Sequence, residues 1–149
     1  MTSIRRLVVG AAVAATITVG AAAPAAADRD QDHRFLHTIM TGAEEVPGPG
    51  DPDGAGVAGV FVHPPRGVVC YVLAVRNIAP ATAAHIHRGP AGVEGPVVVG
   101  LDAPSGGVSA DCTTVDPDLA REIAGSPEQF YVNVHNEEFP AGAIRGQLR

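Results

Sequence analysis

The chain has 149 residues, with 16 acidic and 10 basic side chains, a net charge of −6 with histidines neutral, and no lysine. Nucleic acid and anionic membrane surfaces repel such a chain, so neither is an expected partner. The length suits one domain with a single core, and no repeat of fixed period is visible. Met1 to Arg6 is a short basic stretch, Leu7 to Ala23 a run of Ala, Val, Gly and Thr, and Ala25-Ala26-Ala27 a small-residue cleavage site. This pattern predicts a signal peptide over residues 1–27 rather than a retained span, because the apolar run falls short of the roughly 20 residues a bilayer needs. Arg5-Arg6 lacks the Ser or Thr that a twin-arginine signal prefers at Ile4, which favours the general secretory route. Cleavage leaves 122 of the 149 residues, with eight arginines against 16 acids and a net charge of −8. The mature chain is then a secreted, extracellular protein without a membrane anchor. Absence of Lys beside abundant Ala, Gly, Pro and Arg matches the coding bias of a GC-rich bacterium.

Residues 28–34 are charged and read as a flexible polar tether, which places the domain at 35–149. His37 to Thr41 predicts a first strand, and the Gly-, Pro- and acid-rich stretch from Gly42 to Gly54 a loop. Gly56 to Val62 predicts a second strand, ended by Pro64-Pro65. Val68 to Arg76 is apolar on both parities and reads as a central strand. Ala83 to His87 and Val97 to Leu101 follow, separated by a turn-rich loop from Gly89 to Pro96, and then Val108 to Val115. Pro117 to Ala124 is the one predicted helix, capped by Asp116, opened by Pro117 and stopped by Gly125. Phe130 to His135 and Ala143 to Leu148 form a closing hairpin through Asn136 to Gly142. Seven or eight short strands and one helix imply an all-β antiparallel sandwich or barrel.

Cys70 and Cys112 are the only cysteines, and in an exported chain an even pair is expected to be bridged; two buried thiols are the alternative. Their separation lacks the tight spacing of a zinc site.

Side chains alternate faces along a strand, so His85 and His87 point one way and Ile86 the other. In the last two strands Phe130, Val132, Val134 and Ile144, Gly146, Leu148 form the core parity. If these strands are neighbours, the opposite face gathers His85, His87 and His135 with the polar residues Tyr131, Asn133, Arg145 and Gln147. Three imidazoles on adjacent strands can converge on copper or zinc. They can equally form a hydrogen-bonded network that fixes the strands, with Asn133, Tyr131 and Arg145 as partners. Arg145 argues against a cation unless Glu44, Glu45 or Glu138 supplies a compensating carboxylate. His33, His37 and His63 have no partner pattern and read as singletons.

Thr41-Gly42-Ala43-Glu44-Glu45-Val46-Pro47, Ala83-Ala84-His85-Ile86-His87, Gly95-Pro96-Val97-Val98-Val99, Tyr131-Val132-Asn133-Val134-His135 and Arg145-Gly146-Gln147-Leu148 occur in that order. From about Phe35 to Leu148 the chain resembles the CHRD domain, named from chordin and widespread in exported bacterial proteins. The resemblance implies an immunoglobulin-like all-β fold in an extracellular setting, with no established enzymatic activity or catalytic residues to transfer. Two positions depart from the family pattern. Ala143 stands where Glu commonly precedes Ile-Arg-Gly-Gln, and Gly48 interrupts the usual Pro-Pro after Glu-Val.

The sequence therefore points to a secreted, non-enzymatic module with a structural or binding role toward an unidentified extracellular protein or surface ligand. The alternative is a copper- or zinc-binding protein using His85, His87 and His135. No nucleophile elbow, metalloprotease helix motif or phosphate loop is present. The His-x-His on a strand is reminiscent of copper-zinc superoxide dismutase, but the further histidines and the Asp of that enzyme's bridged metal pair are missing.

Overall fold

A computed structural model describes residues 33–149. The expected leader 1–27, and residues 28–32 of the expected tether, lie outside the described residues. Eight antiparallel strands form one sheet: β1 (Arg34–Thr41), β2 (Ala55–His63), β3 (Val68–Arg76), β4 (Ala81–Arg88), β5 (Val97–Leu101), β6 (Val108–Thr114), β7 (Phe130–Asn136) and β8 (Ile144–Gln147). Their order across the sheet is β5-β4-β7-β8-β1-β2-β3-β6, curled into a nearly closed barrel with β5 and β6 as its edges. Of sandwich and barrel, the fold is therefore the second. β1 begins at Arg34, paired with Val62, one residue before the expected start of the domain.

The alternation read from the sequence sets what lies inside. Leu36 and Met40 of β1, Val60 and Val62 of β2, Val69 and Leu73 of β3, Ile86 of β4, Val132 and Val134 of β7 and Ile144 of β8 are all fully buried. Burying a side chain of this size stabilises the fold by about 1.5–3 kcal/mol relative to leaving it exposed. The helix α1 (Pro117–Gly125) is capped by Asp116, whose carboxylate accepts the Asp118 amide at 2.7 Å. It presses the fully buried Ala120 and Ile123 against β2, β3 and the turn Pro64–Arg66.

β3 differs from its reading as a strand covered on both sides. Its second parity joins three rows that run across β1, β2, β3 and β6: Phe35, Phe61, Cys70, Cys112; His37, Gly59, Val72, Ala110; and Ile39, Val57, Ala74, Val108. These three rows hold no carboxylate, Lys or Arg, the nearest charge being Arg76 in the next row opposite Ala55, and Phe35, Ile39, Val57, Phe61, Val72 and Val108 are exposed on them. Apolar residues on both parities thus record an open apolar face, not a second core layer.

Cys70 and Cys112 are directly opposed across β3 and β6 and form a disulfide, with Cα atoms 3.9 Å apart. The bond matters for β6 in particular. Its inward parity is Ser109, Asp111 and Thr113, so this edge strand sends no apolar side chain into the barrel.

Candidate functional site

Across β4, β7 and β8 the register pairs His85 with Asn133, His87 with Tyr131, Asn133 with Arg145, and Tyr131 with Gln147; His135 lies opposite Ala83. The seven residues expected on one face do share it, outside the barrel. Its centre is nevertheless closed to water, with Arg145 1%, Tyr131 2%, Asn133 3% and His87 9% exposed, while His85, His135 and Gln147 at its margins are half-buried. Loop backbone covers it. Carbonyls of the 89–96 loop accept from His87 Nδ1 (Gly95, 2.8 Å), Arg145 Nη2 (Pro90, 3.0 Å) and Gln147 Nε2 (Gly89, 2.9 Å). The Gly95 amide donates to the Tyr131 hydroxyl at 3.2 Å.

Tyr131 is the hub of this second, polar core. The His87 ring stacks on it with centroids 4.7 Å apart and planes 12° apart, and the Arg145 guanidinium carbon lies 3.4 Å from its centroid. Because β4 and β8 flank β7 on opposite sides, the phenol is held between imidazole and guanidinium. A desolvated cation–π contact of this kind contributes about 2 kcal/mol.

Of the three candidate carboxylates, Glu45 is the one the fold buries beside Arg145, at 7% exposure. Burial raises its pKa to about 7, with the Arg145 charge and the Val46 amide pulling the other way. Gly142, at φ +152°, makes room for it, since a Cβ there would sit 2.4 Å from the carboxylate. Glu138 stays exposed in the turn after β7.

The histidines form one cluster, in which a ligand nitrogen from each of His85, His87 and His135 lies within 4.8 Å of the other two. His85 Nδ1 is 3.1 Å from His135 Nε2, and Asn133 Oδ1 is also 3.1 Å from His135 Nε2. Carbonyls set the tautomers. His87 donates Nδ1–H to Gly95 and His135 donates Nδ1–H to Pro140 at 3.1 Å, so each keeps its lone pair on Nε2. Imidazole nitrogens anchored on carbonyls in this way leave the other nitrogen free to ligate, as around bound metal ions. His87 Nε2 is buried with no partner. Burial lowers the pKa of His85, with His135 and His87 adding to the effect, and lowers that of His135, where the Pro140 hydrogen bond pulls the other way and His87 adds to the lowering; both shifts favour the neutral ring. Gly100 of β5 lies opposite His85, and a Cβ there would meet nothing within 4 Å, which leaves an approach to the cluster open.

Gly95 is the loop residue on which this arrangement turns; the sequence places it in the turn-rich loop and in a family motif, but nothing there sets it against His87. A Cβ at this position would lie 1.7 Å from the Arg88 carbonyl oxygen. Gly95→Ala is expected to lift the loop, free His87 Nδ1 and cost about 2–3 kcal/mol in chemical denaturation. A loss below about 0.5 kcal/mol, within ordinary surface substitutions, would show that the loop does not seat His87.

His33 and His63 are not singletons: their ring centroids are 6.1 Å apart at the end of the β1–β2 pair, and His33 also meets Phe61 edge-on at 5.4 Å. Among the described residues no helix is long and apolar enough to cross a membrane. No curated protein matches the chain, and neither does any solved structure. A family model does match, over residues 36–148, which spans the barrel from β1 past β8 and takes in the whole histidine face. The chain belongs to the CHRD domain family.

Proposed function

We propose that this CHRD protein is an exported, non-enzymatic module that holds one d-block metal ion, copper or zinc, between His85, His87 and His135. The family is not a known enzyme family, and CHRD domains occur in extracellular proteins. The disulfide and the basic, apolar N-terminal run support export. The acidic charge disfavours nucleic acid and anionic membranes as partners, leaving an extracellular protein or surface as the setting in which the ion is held or passed on.

The observation that carries the metal reading is the buried, unpartnered Nε2 of His87. Arg145 Nη1 and Gln147 Oε1 on the same face also lack partners, but His87 Nε2 is the one that lies in the imidazole cluster, and an ion there would offset the roughly 1–3 kcal/mol that such an atom costs. An ion satisfies it together with the lone pair of His135. Zinc–imidazole bonds are about 2.0–2.1 Å, so ligand nitrogens on one ion sit within roughly 4.2 Å of each other. The cluster needs only a small contraction from its present spread to reach that.

Elemental analysis of the protein, purified without a histidine tag and equilibrated with copper and zinc, tests the proposal. The expected result is near-stoichiometric metal that is absent from His85→Ala/His87→Ala and from His135→Ala, with each apo variant still melting cooperatively and disulfide-bonded. No metal in the parent protein after equilibration would overturn the proposal and leave the histidines as strand-fixing groups.

A further inference from the structure

The position of Asn133 says more about the ion than the three imidazoles do. Asn133 lies directly opposite His85 on the neighbouring strand, diagonal to His87 and two residues before His135 on its own strand. Opposite, diagonal and same-face positions are the nearest neighbours a sheet offers. All three histidines are therefore neighbours of this one residue, and Asn133 forms the floor of their cluster. It is 3% exposed, so bulk water does not reach its amide.

Its amide is also in contact with one of the histidines. His135 Nδ1 donates to Pro140, so His135 Nε2 carries a lone pair, and Asn133 Oδ1 faces that lone pair at 3.1 Å. A carbonyl oxygen has no proton to give. Without an ion the amide can turn its N–H to that lone pair; with an ion bound, its oxygen and the lone pair can both face the positive charge. Donor atoms bound to one ion at about 2.0–2.1 Å and a near-tetrahedral angle stand roughly 3.3 Å apart, close to what is seen here and between His85 Nδ1 and His135 Nε2.

We propose that Asn133 Oδ1 is the fourth ligand of the site, which makes the donor set three imidazole nitrogens and one amide oxygen and selects a divalent ion of the zinc type over copper(I). This rests on the metal reading above. The selectivity follows from the donors: an amide oxygen is a hard ligand that suits zinc(II), whereas copper(I) seeks soft sulfur or imidazole nitrogen and is served by the histidines alone. The set is also neutral, and Arg145 is the cross-strand neighbour of Asn133 on β8. An anionic oxygen at position 133 would therefore hold a dication more tightly than the native amide does.

Chelator competition with zinc(II), and with copper(I) under anaerobic conditions, tests the assignment on the full chain and on Asn133→Leu and Asn133→Asp. Asn133→Leu should weaken zinc binding by about tenfold or more while copper(I) affinity stays within about twofold; Asn133→Asp should tighten zinc binding by about tenfold. Cobalt(II) in place of zinc gives an independent readout, because loss of a ligand in Asn133→Leu changes its visible absorption.

Unchanged zinc affinity in both variants, with the histidine variants still unable to bind, would remove Asn133 from the site and leave the three-histidine reading standing. If the parent chain binds neither ion, both readings fail together. Should Asn133→Leu not fold, Asn133→Asp decides alone: weaker zinc binding in a variant that melts like the parent would mean that the amide donates a hydrogen bond to His135 and does not ligate.

Discussion

Replacing Cys70 and Cys112 by alanine is expected to lower the unfolding free energy by about 4 kcal/mol, the chain-entropy value for a bridge that closes a loop of 42 residues. For a domain of this size that corresponds to a fall in melting temperature of roughly 10–20 °C. The location of the damage is a sharper test than its size. β6 sends only Ser109, Asp111 and Thr113 inward, so once the disulfide is gone its backbone hydrogen bonds to β3 are its main hold on the barrel. Hydrogen exchange should therefore accelerate first in β6, while β7 and β8, which carry Val132, Val134 and Ile144 into the core, keep their protection. A loss of less than about 1 kcal/mol, or uniform loss of protection, would mean that β6 is held by something other than the bridge.

Glu45→Gln is expected to stabilise the apo protein at neutral and higher pH. The carboxyl of Glu45 is raised from 4.5 to about 7 in the folded chain, chiefly by burial. Between those values the folded state keeps a proton that the unfolded chain releases. The contribution of Glu45 is thus fully favourable below pH 4.5 and is lost as pH rises through 7, a swing of roughly 3 kcal/mol across the window. Glutamine has the shape of the protonated acid and does not ionise, so its advantage over the native residue should grow from near zero at pH 4 to about that size at pH 8. His85 and His135 act in the opposite sense. Their lowered pKa values give stability that is present above 6.5 and lost as pH falls through the folded values. Urea midpoints of both proteins in the presence of a chelator, from pH 4 to 8, separate the two effects, since the histidine contribution cancels in the difference. Parallel curves across that range would show that Glu45 is not buried as a neutral acid.

Residues that repeat with a local period were legible without coordinates. Val68–Arg76 and Val97–Leu101 have the same bounds in the sequence reading and in the fold, and α1 runs one residue past its expected end at Ala124. Asp116, Pro117 and Gly125 carry start and stop signals that act within a single helical turn, which is why they can be read from a few residues. The shared face of His85, His87, Tyr131, Asn133, His135, Arg145 and Gln147 was legible for the same reason: parity is a local property, and the pairing of β4, β7 and β8 places all seven on one side. The paired cysteines were legible from their number and from the export that the N-terminal pattern predicts.

Other features depend on contacts between residues far apart in the chain, and no local pattern encodes them. Parity says which face a side chain takes but not what covers that face. Thus the outer side of β4, β7 and β8 became a buried polar core under the 89–96 loop, while the equally outward face of β1, β2 and β3 stayed open with Phe35, Ile39 and Val57 exposed. Glu45 could not be chosen over Glu44 or Glu138, because its burial beside Arg145 depends on the 42–54 loop folding back, with the Asp51 amide on the Ala143 carbonyl at 2.8 Å. The sequence by itself determined the strands, the helix and the parity of His85, His87 and His135, since each follows from neighbours along one strand, while the bridge was an expectation from counting; strand pairing then brought the three histidines together. Only the tertiary structure decided that Gly95 and Pro140 fix the tautomers and that His87 Nε2 is left without a partner, because loop carbonyls are placed by the fold and carry no side-chain signature.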